Sequence, residues 1–240
     1  MNLNNKKILY INGCSYAAGS DIESDGVWQK TKYNLRWCYA GQLAHKYKLH
    51  YVNDALPAGS NRRIFRTTIS WIMKYLSEGN NPKDLFVIIS WTGNRRYEFY
   101  HRGRWVQWHL NTSPNSDEFS RSEFKNLHKY LTVYMSNEYG GAVEKVVQSI
   151  SLIHFFIKHE IDYIMTNCCH GFTHDIFDKE ELWHLERELK RRNYFDMYSS
   201  FLERYQHTHK DQFSSDMHPN KFLHTLYTDI LDEYIKSIGN

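Results

Sequence analysis

Ile8-Leu9-Tyr10-Ile11-Asn12-Gly13-Cys14-Ser15-Tyr16-Ala17-Ala18-Gly19 is a short apolar run that stops at a glycine and passes directly into a serine-bearing turn. A run this brief, bounded by glycine, suits a strand buried on both faces that delivers the next residues to the carboxyl edge of a sheet. Ser15 is then expected in a strand-to-helix loop. The segments that follow repeat the pattern and set the fold class.

Residues 36–47, with Trp37, Tyr39, Ala40, Leu43 and Ala44, read as a helix that returns the chain to a strand at residues 50–53, a βαβ beginning. Asp54-Ala55-Leu56-Pro57-Ala58-Gly59-Ser60-Asn61 reads as a loop. Ile64, Phe65, Ile69, Ile72 and Met73 then recur at helical steps over residues 62–76. Asn80-Asn81-Pro82 ends that helix. Residues 84–91, with Leu85, Phe86, Val87, Ile88 and Ile89, form the most continuous apolar run and predict a central parallel strand. From Gly141 onward Val143, Val146, Val147, Ile150, Ile153, Ile157 and Ile161 mark one stripe of a long helix. Residues 161–167 predict a fourth strand, 177–192 are charged with leucines at helical steps, and 221–235, after Pro219, predict a closing amphipathic helix. The expectation is an α/β fold: three layers, α/β/α, around a parallel sheet of about four to five strands. One domain over residues 1–240 is expected, with an insertion at about 98–137, where rings, charges and turn formers mix.

The 240 residues suffice for one sizeable core. A formal charge of +3 names no polyanionic partner, although 14 histidines could raise it, so nucleic acid is neither implied nor excluded. Cys14 and Cys38 lie far from the adjacent Cys168 and Cys169, unlike a secreted disulfide framework. The first apolar run is too short for a signal-peptide core or a membrane span, so a cytoplasmic location without membrane contact is expected. Aromatics at 16%, with 18 Tyr and 7 Trp, suit a packed core and also ring stacking on sugars or bases.

A hydroxyl nucleophile needs a base and a group to orient that base. Ser15 near the start and Ser215-Asp216-Met217-His218-Pro219-Asn220 near the end supply candidates for all three. Asn53 to Asn61 brings a glycine, Gly59, where backbone can approach a substrate oxygen. Ser90-Trp91-Thr92-Gly93-Asn94-Arg95-Arg96 follows the central strand and offers an amide at Asn94 and a hydroxyl at Thr92. In this order the four segments resemble the SGNH, or GDSL-type, hydrolase superfamily, which places serine, glycine, asparagine and histidine in four blocks along a flavodoxin-like α/β/α fold. Two departures stand out: Cys14 replaces the usual aspartate of the first block, and Asp216 lies two residues before the histidine where the family has three.

The resemblance implies a serine esterase in which Ser15 attacks an ester, His218 takes its proton and Asp216 orients His218. Ser215 or a main-chain carbonyl is the alternative for the orienting role. The main-chain N–H groups of Ser15 and Gly59, with Asn94 or else Thr92, would hold the oxyanion. Asn61, Trp91, Thr92, Arg95 and Arg96 flank these blocks as candidate substrate contacts. A small acyl ester, such as an O-acetyl group on a carbohydrate or other polar carrier, is the expected substrate, and no cofactor is called for. The turn at Gly13–Gly19 and the Trp91-Thr92 variant also resemble uncharacterised members often carried by bacterial viruses.

Three other features bear on function. Cys168-Cys169-His170 with His174 offers zinc-type donors, but a second cysteine pair is lacking and no metal site is expected. Arg62, Arg63 and Arg66, with Arg95 and Arg96, could face phosphate or carboxylate or form a salt-bridged surface. Arg102-Gly103-Arg104-Trp105 mixes cations and rings as single-strand binders do. A non-hydrolytic module binding nucleic acid or protein, and an acyltransferase using the same residues, are therefore the competing readings. The sequence leaves the oligomeric state open.

Overall fold

The computed structural model describes residues 2–24, 26–27, 30–109, 121–135, 138–178 and 182–238. Strand β1 (Ile8–Asn12) leads into α1 (Ser15–Ala18), then α2 (Lys32–Trp37), α3 (Tyr39–Lys46), β2 (His50–Asn53), α4 (Asn61–Ser77) and β3 (Leu85–Trp91). A hairpin, β4 (Arg96–His101) and β5 (Arg104–His109), precedes α5 (Arg121–Tyr130) and a π-helical turn at Leu131–Met135. The chain continues through α6 (Glu138–Lys158), β6 (Asp162–Asn167), α7 (His174–Phe177), α8 (Trp183–Lys190), α9 (Phe201–Tyr205) and α10 (Lys221–Ser237).

The main sheet has four strands, all parallel, in the order β2-β1-β3-β6. Apolar residues fill both faces. Leu9, Ile11, Phe86, Ile88 and Ile164 pack with α3 and α10, whereas Tyr10, Val87, Ile89 and Met165 pack with α4 and α6. Successive strand side chains point to opposite faces, so a strand covered by helices on both sides reads as an unbroken apolar run. This is the three-layer α/β/α architecture expected, with β3 between β1 and β6. Tyr194 adds a one-residue bridge at the β6 edge in place of a fifth strand.

Three details differ from the sequence reading. The helix expected at 36–47 is two helices, because Cys38 adopts an extended backbone that ends α2 and starts α3. The inward face of α6 runs through Ala142, Val146, Ser149, Ile153 and Phe156, while Val147 and Ile157 of the expected stripe face solvent and Ile161 lies beyond the helix. The mixed region begins at Arg96, and its hairpin docks on α4: Arg66 donates two hydrogen bonds to Glu98, at 2.9 and 2.7 Å, and Gln107 donates a third at 2.7 Å. Residues 110–120 and 136–137 of the expected insertion lie outside the described residues. Among the described residues, no helix is long and apolar enough to cross a membrane.

Candidate active site

In an open parallel sheet, ligands bind outside the carboxyl ends of the strands where the strand order reverses. Here that point lies between β1 and β3, whose following loops carry Ser15 and Asn94. A cleft of about 660 Å³ opens there. Ser15, Asn94, Arg96 and His218 all line it, so the two ends of the chain meet at one place.

Ser15 is the first residue of α1 and is 4% exposed. The preceding glycine is fixed by crowding: a Cβ on Gly13 would lie 2.7 Å from the Ala17 Cβ and 2.9 Å from the Ser90 carbonyl. Gly13 therefore lets the nucleophile turn press against β3. Its carbonyl accepts from the Leu56 N–H at 3.0 Å, which ties the second loop to the first.

His218 arrives on a tight turn. The Met217 N–H donates to the Ser214 carbonyl at 3.0 Å, Met217 takes a positive φ of 61°, and Phe213 pairs with Pro219 across the turn. The Asn220 side chain then caps α10 by accepting from the Leu223 N–H. Tyr16, next to the serine, donates its hydroxyl to the Met217 carbonyl at 2.6 Å and meets the His218 ring edge-on at 5.7 Å. Helix α1 and the turn bearing His218 are thus fastened directly to each other.

The carboxylate at the His218 ring is that of Asp21, and Asp216 stands apart from it. His218 Nδ1 lies 2.7 Å from Asp21 Oδ2, and the Asp21 side chain is fully buried. Ser214 clamps this pair: its hydroxyl donates to Asp21 Oδ2 at 2.9 Å and accepts from the His218 main-chain N–H at 3.1 Å. Asp21 follows Ser15 by six residues and sits at a positive φ of 64°, a backbone region aspartate enters more readily than most residues. Asp216 is exposed at the cleft rim, because the turn that presents His218 points its neighbour outward. The hydroxyl bonded to both Asp21 and the His218 main-chain N–H is that of Ser214, the neighbour of Ser215.

Gly59 does not offer its N–H to the cleft, since that group donates to the Leu56 carbonyl at 2.8 Å. Its absent Cβ instead permits close approach, to 2.9 Å of the Leu56 carbonyl. Asn94 lines the cleft, with its Oδ1 buried and without a hydrogen-bond partner. Thr92 is fully buried, with its hydroxyl toward Cys169, and lies off the cleft. Trp91 is a core residue of the α4/α6 face and also lies off it. Asn61 is a brace: its Oδ1 accepts from the Thr92 N–H at 2.9 Å and its amide donates back to the Thr92 carbonyl. Of the five flanking residues expected to touch substrate, Arg95 and Arg96 line the cleft.

The three arginines of α4 are paired: Arg62 with Glu144, Arg63 with Asp54 and Arg66 with Glu98. Also lining the cleft, the Gly171 N–H donates to Glu203 at 3.0 Å and His170 stands 3.7 Å from that carboxylate. Burial opposes ionisation of Glu203, but hydrogen bonds from His170 and Gly171 outweigh it and hold the carboxyl down at about 2. Behind Ser15, hydrogen bonds from Cys168 and Cys169 draw the buried Cys14 thiol well below its usual range, with Arg96 adding to the pull. The four cysteines are free.

The fold is that of known esterases. Over 98% of this chain and 100% of the other, it superposes on a psychrotrophic esterase, EstA, from Pseudoalteromonas sp., with a TM-score of 0.54 and 12% identity. An acetyl xylan esterase, Est2A, from the rumen bacterium Butyrivibrio proteoclasticus matches 96% of this chain over 64% of its own, with a TM-score of 0.55 and 13% identity. A carbohydrate esterase described as having divergent catalytic and non-catalytic binding functions matches 97% over 69%, at 0.51 and 11%. At such identities the likeness is one of fold. No curated protein matches the chain. Residues 20–191 match a family model, and on that match the chain belongs to the "Family of unknown function (DUF6071)".

Proposed function

We propose that the protein is an SGNH-type serine esterase acting on a small acyl ester of a polar carrier, with Ser15 as nucleophile, His218 as base and Asp21 as the group that orients it. One observation carries this reading: a buried carboxylate 2.7 Å from His218 Nδ1, with Ser15 in the same cleft. A histidine whose Nδ1 is held by a carboxylate keeps Nε2 free to take a hydroxyl proton. A module that only bound ligand would have no need of that pairing.

In this mechanism His218 Nε2 removes the Ser15 proton as Oγ attacks the ester carbonyl, and Asp21 steadies the imidazolium. The oxyanion meets the Ser15 main-chain N–H and the Asn94 amide, each donor worth on the order of 3 kcal/mol in the barrier. His218 then protonates the leaving alcohol. Water, activated by the same base, releases the acyl group. That two of the superposed enzymes are named for carbohydrate esters supports a sugar-borne acyl group as the first substrate to try.

The test is labelling by a fluorophosphonate probe together with hydrolysis of a short activated acyl ester. Both are expected in the wild type and absent from Ser15→Ala. Equal, negligible signals from both proteins, with salt-sensitive retention on nucleic acid, would favour the binding module instead.

A further inference from the structure

We infer that Arg96 is a recognition residue for an anionic oxygen group, carboxylate or phosphate, carried by the ester that enters the cleft. The inference deepens the esterase reading and rests on it for the bond that reacts.

Arg96 opens β4 and lines the cleft two residues after Asn94. Its Nη1 is buried with no hydrogen-bond partner, and its guanidinium forms no ion pair with a carboxylate among the described residues. Its neighbours differ: Arg62, Arg63, Arg66 and Arg95 each hold a carboxylate. The acids around the cleft are already committed, Asp21 to His218 and Ser214, Glu203 to the Gly171 N–H beside His170, and Glu138 to Arg95. Asp216 stands at the exposed rim. The groups whose charge acts on the guanidinium are Cys169, Cys14, Cys168 and Tyr16.

Sulfur is a weak hydrogen-bond acceptor, so Cys14, even ionised, leaves the guanidinium fork, which stays charged at any pH a folded protein meets, without an oxygen partner. A guanidinium partly withdrawn from water with a donor left unmet is costly, and the cost is relieved when a ligand brings the missing oxygen acceptor. The guanidinium fork matches a carboxylate or phosphate through two parallel hydrogen bonds. Because Arg96 lines the same cleft as Ser15 and Asn94, an anion held by Arg96 belongs to the molecule whose ester reacts there. The substrate class is therefore an acylated acidic sugar or sugar phosphate, not a neutral one, and the cleft volume suits one acylated monosaccharide.

Calorimetry on Ser15→Ala, where the ester would survive, compares acetylated glucose, acetylated glucuronate and acetylated glucose phosphate. At least one anionic ligand is expected to bind about tenfold tighter than the neutral one, glucuronate marking a carboxylate site and the sugar phosphate a phosphate site. Adding Arg96→Gln should bring the anionic and neutral affinities within about twofold, and Arg96→Lys should keep part of the preference. Equal affinities for all three ligands overturn the inference, whatever the variants do. So does an Arg96→Gln enzyme that loses turnover by the same factor on neutral and anionic esters with KM unchanged, since Arg96 would then act on the reacting oxygen. If no ester is hydrolysed and the anionic preference persists, the esterase reading fails and the anion site stands.

Discussion

His218 takes its carboxylate from the loop just beyond α1, across a sequence separation of 197 residues. Asp21 is fully buried and shares Oδ2 with the Ser214 hydroxyl, so the imidazole is held from two sides. Asp21→Asn preserves shape and tolerance of a positive φ, but it presents an amide that favours the wrong tautomer. Turnover is expected to fall about 1,000- to 10,000-fold with little change in stability. Asp216→Ala, at the exposed rim, should leave turnover within about threefold. Steady-state kinetics on one activated ester measures both, and the reverse ranking would return the orienting role to Asp216. Nothing in the spacing of letters singles out Asp21. It follows a Gly-Ser pair in an ordinary loop, and only the left-handed turn after α1 aims it at the histidine.

At the scale of elements, the β4–β5 hairpin is held by one buried acid. The Glu98 side chain is 2% exposed and receives both arms of Arg66 and the Gln107 amide, while the Trp105 ring covers the Arg66 guanidinium at 4.1 Å. Gln107 also accepts from the Ser60 N–H at 3.0 Å, joining the hairpin to the start of α4. Removing one member of a buried ion pair costs more than the pair contributes, because the survivor stays desolvated. Arg66→Ala is expected to cost about 3–5 kcal/mol, read as a lower urea midpoint, and to open the hairpin to limited proteolysis. A change under about 1 kcal/mol would mean that Glu98 finds water or a new donor. The mixed composition of residues 98–109 marked this region as a departure from the βα pattern, but its ladder and its anchor depend on contacts with α4 that periodicity does not encode.

Across the whole molecule, closure of the chain depends on α10 returning to the sheet beside α3. His224 stands at that join, fully buried, its Nδ1 accepting from the Tyr39 N–H at 3.2 Å and its ring stacked with Tyr39. Burial, with His218 nearby, lowers its pKa to about 3. The unfolded chain, with histidine near pKa ~6.5, binds more protons than the native state between those values, so stability rises with pH across that window. The contribution is fully present above about pH 6.5 and is lost as pH falls toward about 3, at up to ~1.4 kcal/mol per pH unit. His224→Gln, which keeps an acceptor for Tyr39, should flatten the fall in urea midpoint between about pH 7 and about pH 5; an unchanged slope would place the acid sensitivity elsewhere. The apolar runs at residues 8–12, 85–91 and 162–167, with helical spacing between them, determined the α/β class and the edge on which Ser15, Asn94 and His218 gather, because burial on both faces of a parallel sheet imprints itself on consecutive letters. Which carboxylate meets the imidazole, which backbone N–H is already spent on a turn, and which cleft arginine, among the described residues, holds no carboxylate were decided by the tertiary structure alone, since hydrogen bonds between distant loops depend on positions and directions that no local pattern carries.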